Sequence, residues 1–451
     1  MEKRLIVIGG VAAGMSAAAK AKRLNREMEA VVYEKSPYIS YAACGMPYFI
    51  AGDIADYRCL LARTPEQMAK QGVEVHVRHE VVAVDPNARM VVVRDLEGGR
   101  EFTQGYDRLV FATGARPAYP PLTGSGLEGV FVLRSLEEGR AVKRFLAERA
   151  EHMPRRALVL GGGYVGVEMA ETFRRLGLEV KMVIRSGKVL RAALDDDVRA
   201  LVEEEFARQG VEVVKGEPTT FEGGRRVEAV VFGDEDRHYP CDVALLAIGV
   251  RPEVSLARAA GVVLGATGAI ATDSHMRTNL PHAYAAGDCA ETFHLVIGEP
   301  AYIPLGSTAN KQGRVAGTNS AGGEATFGGV VGTMVVRAFD LAVARTGLTA
   351  AQAQALGYTV RAPMIKAMDG AHYFPGAAPI HVKLVVDEET GRLLGGQIAG
   401  RRGVAKRIDV LATALHHRLT VADLQRLDLS YAPPFAPVWD PILVAANVAA
   451  K

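Results

Sequence analysis

The sequence is poor in cysteine and in excess charge, and it has no long hydrophobic run. Its four cysteines, Cys44, Cys59, Cys241 and Cys289, have the spacing of neither a disulfide framework nor a zinc motif. Lysine and arginine total 53 against 51 for aspartate and glutamate, so the net charge of +2 gives no sign of a nucleic-acid partner. The apolar run at residues 5–8 is too short for a signal peptide or a membrane span. We therefore expect a cytoplasmic protein with small-molecule partners and no metal site.

The N-terminal segment has the pattern of a dinucleotide-binding βαβ unit. Residues 5–8 are apolar and β-branched, which predicts a buried parallel strand. A glycine turn follows at residues 9–14 and opens an alanine-rich helix over about 15–26, so its backbone N–H groups could bind a pyrophosphate. A second strand at 30–33 ends in Glu34, an acid placed to bind ribose hydroxyls.

A second unit of this kind is closer to the consensus. The strand at 156–160 leads into Gly161-Gly162-Gly163-Tyr164-Val165-Gly166, a full G-x-G-x-x-G, followed by a helix at 167–176 and a strand at 179–184. Two such units predict two dinucleotides. Arg185 and Lys188 follow the second strand, where a carboxylate would select NAD. They favour NADPH, or use of both nicotinamides, unless they are ordinary solvated loop charges.

Three further apolar segments end in glycine and support a flavoprotein. They end at Gly114, at Gly249 and at Gly287, and after Gly287 stands Asp288, an acid placed to bind a ribityl hydroxyl of FAD. A helix follows at 304–314. Beyond residue 327 no nucleotide turn occurs, and antiparallel strands are predicted at 330–338, 341–344, 358–365 and 380–387, with a helix at 404–418. The sequence thus predicts an α/β protein with two Rossmann-like domains and an α+β C-terminal domain.

Residues 40–48, Ser-Tyr-Ala-Ala-Cys-Gly-Met-Pro-Tyr, place a lone cysteine before a predicted helix. Pro47 suits a first helical turn, so Cys44 should lie just outside a helix N-terminus, where its pKa would be lowered. No second cysteine is near, so Cys44 would react through a mixed disulfide with an external thiol or through a sulfenic acid. The alternative is a buried, inert cysteine in a tight turn.

Together with the tail Tyr431-Ala432-Pro433-Pro434-Phe435, these motifs resemble the pyridine nucleotide-disulfide oxidoreductases over essentially the whole chain, and most of all the coenzyme A-disulfide reductases. The resemblance implies an FAD domain at 1–117 and 251–326, an NAD(P)H domain at 118–250 and an interface domain at 327–451. It also implies a homodimer in which the interface domain of one subunit completes the active site of the other. The residues implied to bind the cofactors are Gly9, Ala12, Ala13, Gly14, Glu34, Lys35, Val81, Thr113, Gly114 and Asp288 for FAD, and Gly161, Gly163, Tyr164, Val165, Gly166, Arg185, Lys188 and Gly249 for NADPH or NADH.

By the same resemblance, Cys44 forms a mixed disulfide with coenzyme A. Tyr373 and Tyr431 match two tyrosines that the neighbouring subunit brings to that disulfide, where they could protonate a leaving thiolate. The family often has a second tyrosine where this chain has Phe374. His372 is a further candidate proton donor, although a lone histidine is more often structural.

Two basic groups could bind the phosphates of coenzyme A. Ser16, Lys20 and Arg23 fall on one face of the first helix, and with Ser40 they match family contacts to coenzyme A. Lysine and arginine on the wet face of any helix explain them as well. The same two interpretations apply to the basic group Arg401, Arg402, Lys406 and Arg407.

The predicted reaction is reduction of coenzyme A disulfide by NAD(P)H to two coenzyme A thiols. Related NADH peroxidases and oxidases have a histidine in the first glycine turn, and here that position is Ala12, so disulfide chemistry is favoured. An NAD(P)H oxidase and a persulfide or polysulfide reductase remain alternatives. The persulfide reductases often carry an extra rhodanese-like domain, and this sequence ends at Lys451 without one. A flavoprotein electron carrier with a structural Cys44 is a third alternative.

Overall fold

A computed structural model describes residues 3–118, 122–147, 154–233 and 235–451. The first glycine turn belongs to a five-stranded parallel sheet. Four of its five strands are mostly apolar and buried, as expected where helices cover a parallel sheet, whereas the edge strand Val73–Val77 is partly exposed. The strands lie side by side in the order Ala283–Ala285, Arg108–Phe111, Arg4–Ile8, Glu29–Glu34 and Val73–Val77.

The second glycine turn belongs to another five-stranded parallel sheet, inserted in the chain before the last strand of the first sheet. Its strands follow the order Val211–Lys215, Glu179–Ile184, Arg156–Leu160, Val243–Leu246 and Val130–Phe131. Smaller antiparallel sheets accompany the two parallel ones: His79–Asp85, Met90–Asp95 and Glu101–Gly105; Pro218–Glu222, Ala229–Phe232 and Glu235–Pro240; Ala115–Pro117 with Val250–Pro252; and Thr292–His294 with Glu299–Ala301.

The helices in the described part of the chain differ in length and role. Short 3₁₀ turns at Ala43–Gly45 and Tyr57–Leu60 add to them. In chain order the helices are α1 Ala12–Leu24, α2 Met46–Ala51, α3 Pro65–Ala69, α4 Leu136–Ala147, α5 Tyr164–Arg175, α6 Asp196–Arg208, α7 Ser255–Ala259, α8 Gly306–Ser320, α9 Ala350–Ala355, α10 Val404–His416, α11 Val421–Gln425 and α12 Pro441–Ala449.

The C-terminal region is an antiparallel sheet covered by α10 and α12. Its main path is Met334–Ala338, Leu341–Gly347, Leu393–Gly400, Pro379–Asp387 and Val360–Arg361, and Met364–Met368 also pairs with Pro379–Asp387. The prediction of one strand at 358–365 is therefore wrong, because the ladder is interrupted before Met364 at Pro363, which has no N–H to donate. The buried central strand Leu393–Gly400 was not predicted.

Helices α1 and α8 pack closely through small residues. A Cβ atom at Gly313 would lie 2.3 Å from the carbonyl oxygen of Ala13, and one at Gly317 would lie 2.2 Å from that of Ala17. Because both glycines meet α1 in the same sequence order, the two helices run in the same direction. This contact packs α8, which comes late in the chain, against α1, the first helix of the same sheet region.

Within the described residues, no helix is both long and apolar enough to cross a membrane, and no group of three or more histidine, cysteine or acidic side chains is arranged to bind a metal ion. The expected domain boundaries and a cytoplasmic location stay predictions.

Candidate active site

One cavity of about 2440 Å³ runs between the two glycine turns and past Cys44. Gly14 and Gly166 do not line it, because each packs its backbone against the carbonyl oxygen of the first glycine of its own turn. The other residues predicted to bind the cofactors all line it: Gly9, Ala12, Ala13, Glu34, Lys35, Val81, Thr113, Gly114, Asp288, Gly161, Gly163, Tyr164, Val165, Arg185, Lys188 and Gly249.

The first turn approaches its strands as closely as glycine allows. Gly9 has φ +103°, and a Cβ atom there would lie 2.2 Å from the Ala112 carbonyl oxygen. The Glu34 carboxylate is buried and accepts hydrogen bonds from the N–H groups of Gly10 at 2.7 Å and Ser36 at 2.8 Å. Glu34 thus helps to shape the turn as well as lining the cavity.

Asp288 lines the cavity beside the beginning of α8 and pairs with a residue that was not predicted. Its Oδ2 accepts a hydrogen bond from Nη2 of Arg134 at 2.7 Å, and the hydroxyl of Tyr302 donates to its carbonyl oxygen at 3.1 Å. The beginning of α1 has no side-chain cap and no acidic residue in its first turn, so its N–H groups are available to a phosphate. These features fit FAD at the first turn.

The basic residues that follow the second turn differ in their partners. Both Arg185 and Lys188 line the cavity, but Lys188 forms an ion pair with Asp196, with Nζ 3.0 Å from Oδ2. Arg191, which was not predicted, is exposed and lines the same part of the cavity. The G-x-G-x-x-G motif gives no information about Arg191, because this residue lies well beyond the end of the strand that follows the motif.

Cys44 lies in the 3₁₀ turn directly before α2 and opens onto the cavity. The prediction of a lowered pKa is wrong: burial by the cavity walls, followed by the negative charge of Glu168, raises the pKa of the Cys44 thiol. Helix α2 has only six residues, starts at Met46 and does not outweigh these effects. Arg134 acts in the opposite direction, towards the thiolate.

Glu168, on α5, is a cavity-lining acid that sequence reasoning missed. Burial, followed by the negative charge of Glu171, raises its pKa to about 7. Glu171 is itself held by the C-terminal sheet, since its two carboxylate oxygens accept hydrogen bonds from Arg337 Nη2 at 2.6 Å and from the Phe339 N–H at 2.9 Å. The signal in the sequence was weak: Glu168 is the fifth residue of the helix that the G-x-G-x-x-G turn opens.

Tyr373 and Tyr431 lie outside this cavity but close to each other. Their hydroxyl oxygens are 3.3 Å apart, and this hydrogen bond raises the pKa of Tyr431. Both side chains are exposed, and so are Phe435, Val438 and Trp439 on the second tyrosine's segment. The His372 ring packs edge-on against Tyr373.

The residues predicted to bind coenzyme A also lie outside the cavity. The Ser16 hydroxyl donates to Asn310 Oδ1 of α8 at 2.7 Å, so the polar face of α1 continues onto α8. Lys20 and Arg314 each lie one turn further along these helices, which run in the same direction, and Arg23 is exposed. Ser40 has φ 47° and its N–H donates to the Gly10 carbonyl, so it adjoins the first turn.

The basic group of the C-terminal region is mostly paired. Arg402 binds Asp369, and Lys406 lies 3.3 Å from Asp409. Arg407 is buried and binds Asp440. Arg401 has a distant partner, Asp340, at 3.9 Å. Arg407 is thus neither a solvated charge nor open to a substrate.

Comparison with known proteins gives the family. Residues 3–313 match "Pyridine nucleotide-disulphide oxidoreductase", and residues 334–441 match "Pyridine nucleotide-disulphide oxidoreductase, dimerisation domain". The chain is 40% identical to the NAD(P)H coenzyme A polysulfide/persulfide reductase of Pyrococcus horikoshii over 99% of this chain and 98% of that protein. It is 35% identical to an NADH oxidase of Methanocaldococcus jannaschii, covering 99% of both. It is 29% identical to a coenzyme A disulfide reductase of Staphylococcus aureus, covering 96% of both.

Solved structures of related oxidoreductases have the same fold. Reduced Bacillus anthracis CoADR-RHD superimposes with a TM-score of 0.95 at 35% identity, over 100% of this chain and 80% of that one. An engineered water-forming NADPH oxidase bound to NADPH gives a TM-score of 0.94 at 28% identity, over 99% and 98%. The chain therefore belongs to the pyridine nucleotide-disulphide oxidoreductase family and is an NAD(P)H-dependent, FAD-containing flavoprotein oxidoreductase with a C-terminal dimerisation domain.

Proposed function

We propose that this protein reduces coenzyme A disulfide to two coenzyme A thiols, using Cys44 as the residue that exchanges with the substrate. The observation that carries the proposal is the single cysteine opening onto the cavity that both glycine turns line, without a second cysteine beside it among the described residues. A lone thiol cannot form an internal disulfide, but it can exchange with an external one, which is the chemistry that reduction of coenzyme A disulfide requires.

The chain's own part in the reaction is sulfur exchange. The Cys44 thiolate attacks one sulfur of the substrate, a bond forms between Cys44 and that coenzyme A, and the second coenzyme A leaves as a thiolate that takes up a proton. FAD held at the first glycine turn would supply the two electrons of NAD(P)H that reduction of this mixed disulfide requires. The bond between Cys44 and coenzyme A then breaks, which releases the remaining coenzyme A and restores the Cys44 thiolate.

Coenzyme A would lie along the polar face of α1 and α8. Ser16, Lys20 and Arg23 supply one side, and the Ser16 to Asn310 hydrogen bond brings α8 beside them. Lys22 is a contrasting residue, because its ammonium group already binds the carbonyl oxygens of Arg26 and Met28, in the segment that follows α1. The free cations of this face suit the phosphates of coenzyme A, while the pantetheine arm would extend past Ser40 towards Cys44.

A homodimer would complete the site. Tyr373 and Tyr431 are exposed on the dimerisation domain. They form a hydrogen-bonded pair that lies outside the cavity of their own subunit. Placed against a partner's Cys44, the pair could protonate the leaving coenzyme A thiolate.

NADPH is the proposed donor. The engineered NADPH oxidase carries five substitutions that remove an aspartate and introduce two arginines and a serine. Four of the five positions match Ile184, Arg185, Ser186 and Arg191 of this chain in order and spacing, and the fifth, a glycine changed to alanine, falls at Gly166, which this chain keeps. Arg185 and Arg191 would therefore bind the 2′-phosphate, whereas Lys188 is already paired with Asp196.

A coenzyme A persulfide or polysulfide is a second candidate acceptor. The relative at 40% identity that is named a polysulfide/persulfide reductase is matched over 98% of its length, so the expected extra domain does not separate the two activities.

The deciding experiment measures products under anaerobic conditions, with NADPH or NADH as donor and coenzyme A disulfide, coenzyme A persulfide or polysulfide as acceptor. We expect thiol release from coenzyme A disulfide that is lost in Cys44→Ser and retained in Cys59→Ser, whose cysteine is also exposed. Sulfide release without turnover of coenzyme A disulfide would transfer the assignment to the persulfide. Turnover that survives Cys44→Ser would refute both and favour an electron carrier.

A further inference from the structure

The loops that carry Tyr373 and Tyr431 are joined by a charged network, which we call the clamp: Asp369, Arg402, Arg407 and Asp440. Asp369, Arg407 and Asp440 are only 3%, 7% and 7% exposed. The clamp lies behind the tyrosine pair and outside the cavity.

Asp369 fixes the loop of Tyr373. Its carboxylate accepts two hydrogen bonds from Arg402, at 2.9 and 3.0 Å, and a third from the Ala378 N–H at 2.9 Å. These bonds close the loop at both ends, four residues before Tyr373 and five after it. Burial acts to raise the pKa of Asp369, and the bonds from Arg402 and Ala378 outweigh it, so the pKa is lowered and the group stays charged.

Arg407 links this loop to that of Tyr431. From α10 it donates to Asp440 Oδ2 at 2.9 Å, to the Asp369 carbonyl oxygen at 3.0 Å and to the Phe435 carbonyl oxygen at 3.2 Å. Asp440 in turn caps α12 through the Ile442 N–H. One guanidinium therefore holds both tyrosine loops against two helices.

The tyrosine side chains themselves have little support. Tyr373 is 64% exposed and Tyr431 48% exposed, and the described contacts of their rings and hydroxyls are to each other and to the His372 ring. A backbone hydrogen bond from the Ala371 N–H to the Pro433 carbonyl oxygen, at 3.0 Å, also joins the two loops directly. Their relative position must come from the backbone, and the clamp holds the backbone.

We propose that Asp369 and Arg407 are positioning residues, which hold the hydroxyl groups of Tyr373 and Tyr431 at the geometry with which they meet the Cys44 disulfide of a second subunit. The inference rests on the proposed function. Buried ion pairs add little net stability compared with apolar side chains, but they do fix geometry, which is what a shared proton donor needs.

The first test is Arg402→Gln in the full-length holoenzyme, because Arg402 is half exposed and its loss leaves the buried residues in place. We expect acceptor turnover to fall about tenfold, because the Tyr373 loop loses both hydrogen bonds from Arg402 to Asp369. NADPH should still reduce the bound flavin at the wild-type rate. Lys366→Gln is the matched control, since it removes an exposed cation of the same domain for which no hydrogen bond or ion pair with the clamp is described.

A double-mutant cycle separates positioning from general stability. In a Tyr373→Phe, Tyr431→Phe background, Arg402→Gln should cause almost no further loss, because the clamp acts only through those hydroxyls. The same tenfold loss in both backgrounds, or an equal loss in flavin reduction, would overturn the proposal.

Arg407→Lys provides a second variant and a readout that needs no substrate. Lysine keeps a charge for Asp440 but lacks the guanidinium fork that also binds the two carbonyl oxygens. Trp439, the only tryptophan, precedes Asp440, so its emission should shift in Arg407→Lys and stay constant in Lys366→Gln. Unchanged emission together with unchanged turnover would refute the clamp. If coenzyme A disulfide were inert in the wild type, the proposed function would fail, and the cycle would be run with persulfide.

Discussion

Glu168 and Cys44 face the same cavity from different parts of the chain, and the charge of Glu168 raises the pKa of the Cys44 thiol. The pKa of Glu168 is itself raised to about 7, mainly by burial. Near neutral pH, protonation of Glu168 therefore favours the Cys44 thiolate, and ionisation of Glu168 disfavours it.

Glu168→Gln should lower the pH at which Cys44 becomes reactive, by roughly half a pH unit, because the repulsive charge is gone. The measurement is the rate of Cys44 alkylation by iodoacetamide against pH, in enzyme reduced and freed of coenzyme A. Cys59→Ser removes the other exposed thiol from the signal. An unchanged midpoint, or one at higher pH, would contradict the assignment.

Active-site sharing between subunits predicts complementation. Cys44→Ser and the Tyr373→Phe, Tyr431→Phe variant should each be nearly inactive. Random mixing after subunit exchange should restore about a quarter of wild-type activity, because half the dimers then hold one intact site of two. Sites built from a single subunit would show no recovery.

The 2′-phosphate assignment predicts a change in donor preference. Arg191→Ala and Arg185→Ala should each raise the KM for NADPH about tenfold, the expected loss of one charged hydrogen bond, and leave the KM for NADH unchanged. Lys188→Ala should have a much smaller effect, because Asp196 already neutralises that cation. Competition by 2′-phospho-ADP-ribose against ADP-ribose would report the same preference without turnover.

The seam between α1 and α8 should tolerate no added methyl group. Gly317→Ala should destabilise the protein by about 2 kcal/mol, since its Cβ atom would lie 2.2 Å from the Ala17 carbonyl oxygen and the helices must separate. Gly306→Ala in the same helix meets nothing within 4 Å and should not lower stability. Thermal unfolding of the two variants tests the difference.

The sequence predicted the elements whose signals lie close together in the chain. The two glycine turns and the strands around them were found because the strand, turn and helix signals are adjacent in sequence. The fold prediction and the family resemblance are confirmed by the family matches. The strand Leu393–Gly400 escaped because Gly395 and Gly396 weaken the apolar pattern, although Gly395 is required where its backbone meets the Leu348 carbonyl oxygen.

Long-range effects were less accessible. The lowered pKa expected for Cys44 was wrong because burial in the cavity and the charge of Glu168, far along the chain, dominate over a short helix. Neither interpretation of Arg407, a phosphate-binding residue or a solvated charge, was right, because nothing in its helix indicates that the residue is buried and bound to Asp440. The pairing of Tyr373 with Tyr431 came from the family resemblance alone, and no sequence spacing implies it.

The strand order of the first sheet has a consequence for biosynthesis. Its edge strand Ala283–Ala285 and helix α8 leave the ribosome only after every strand of the second sheet has been made. The second sheet region can therefore fold while the first sheet still lacks the strand Ala283–Ala285 and the helix α8 that packs on α1. Nascent chains stalled before residue 283 should accordingly protect the insert from protease and leave residues 3–118 open to cleavage.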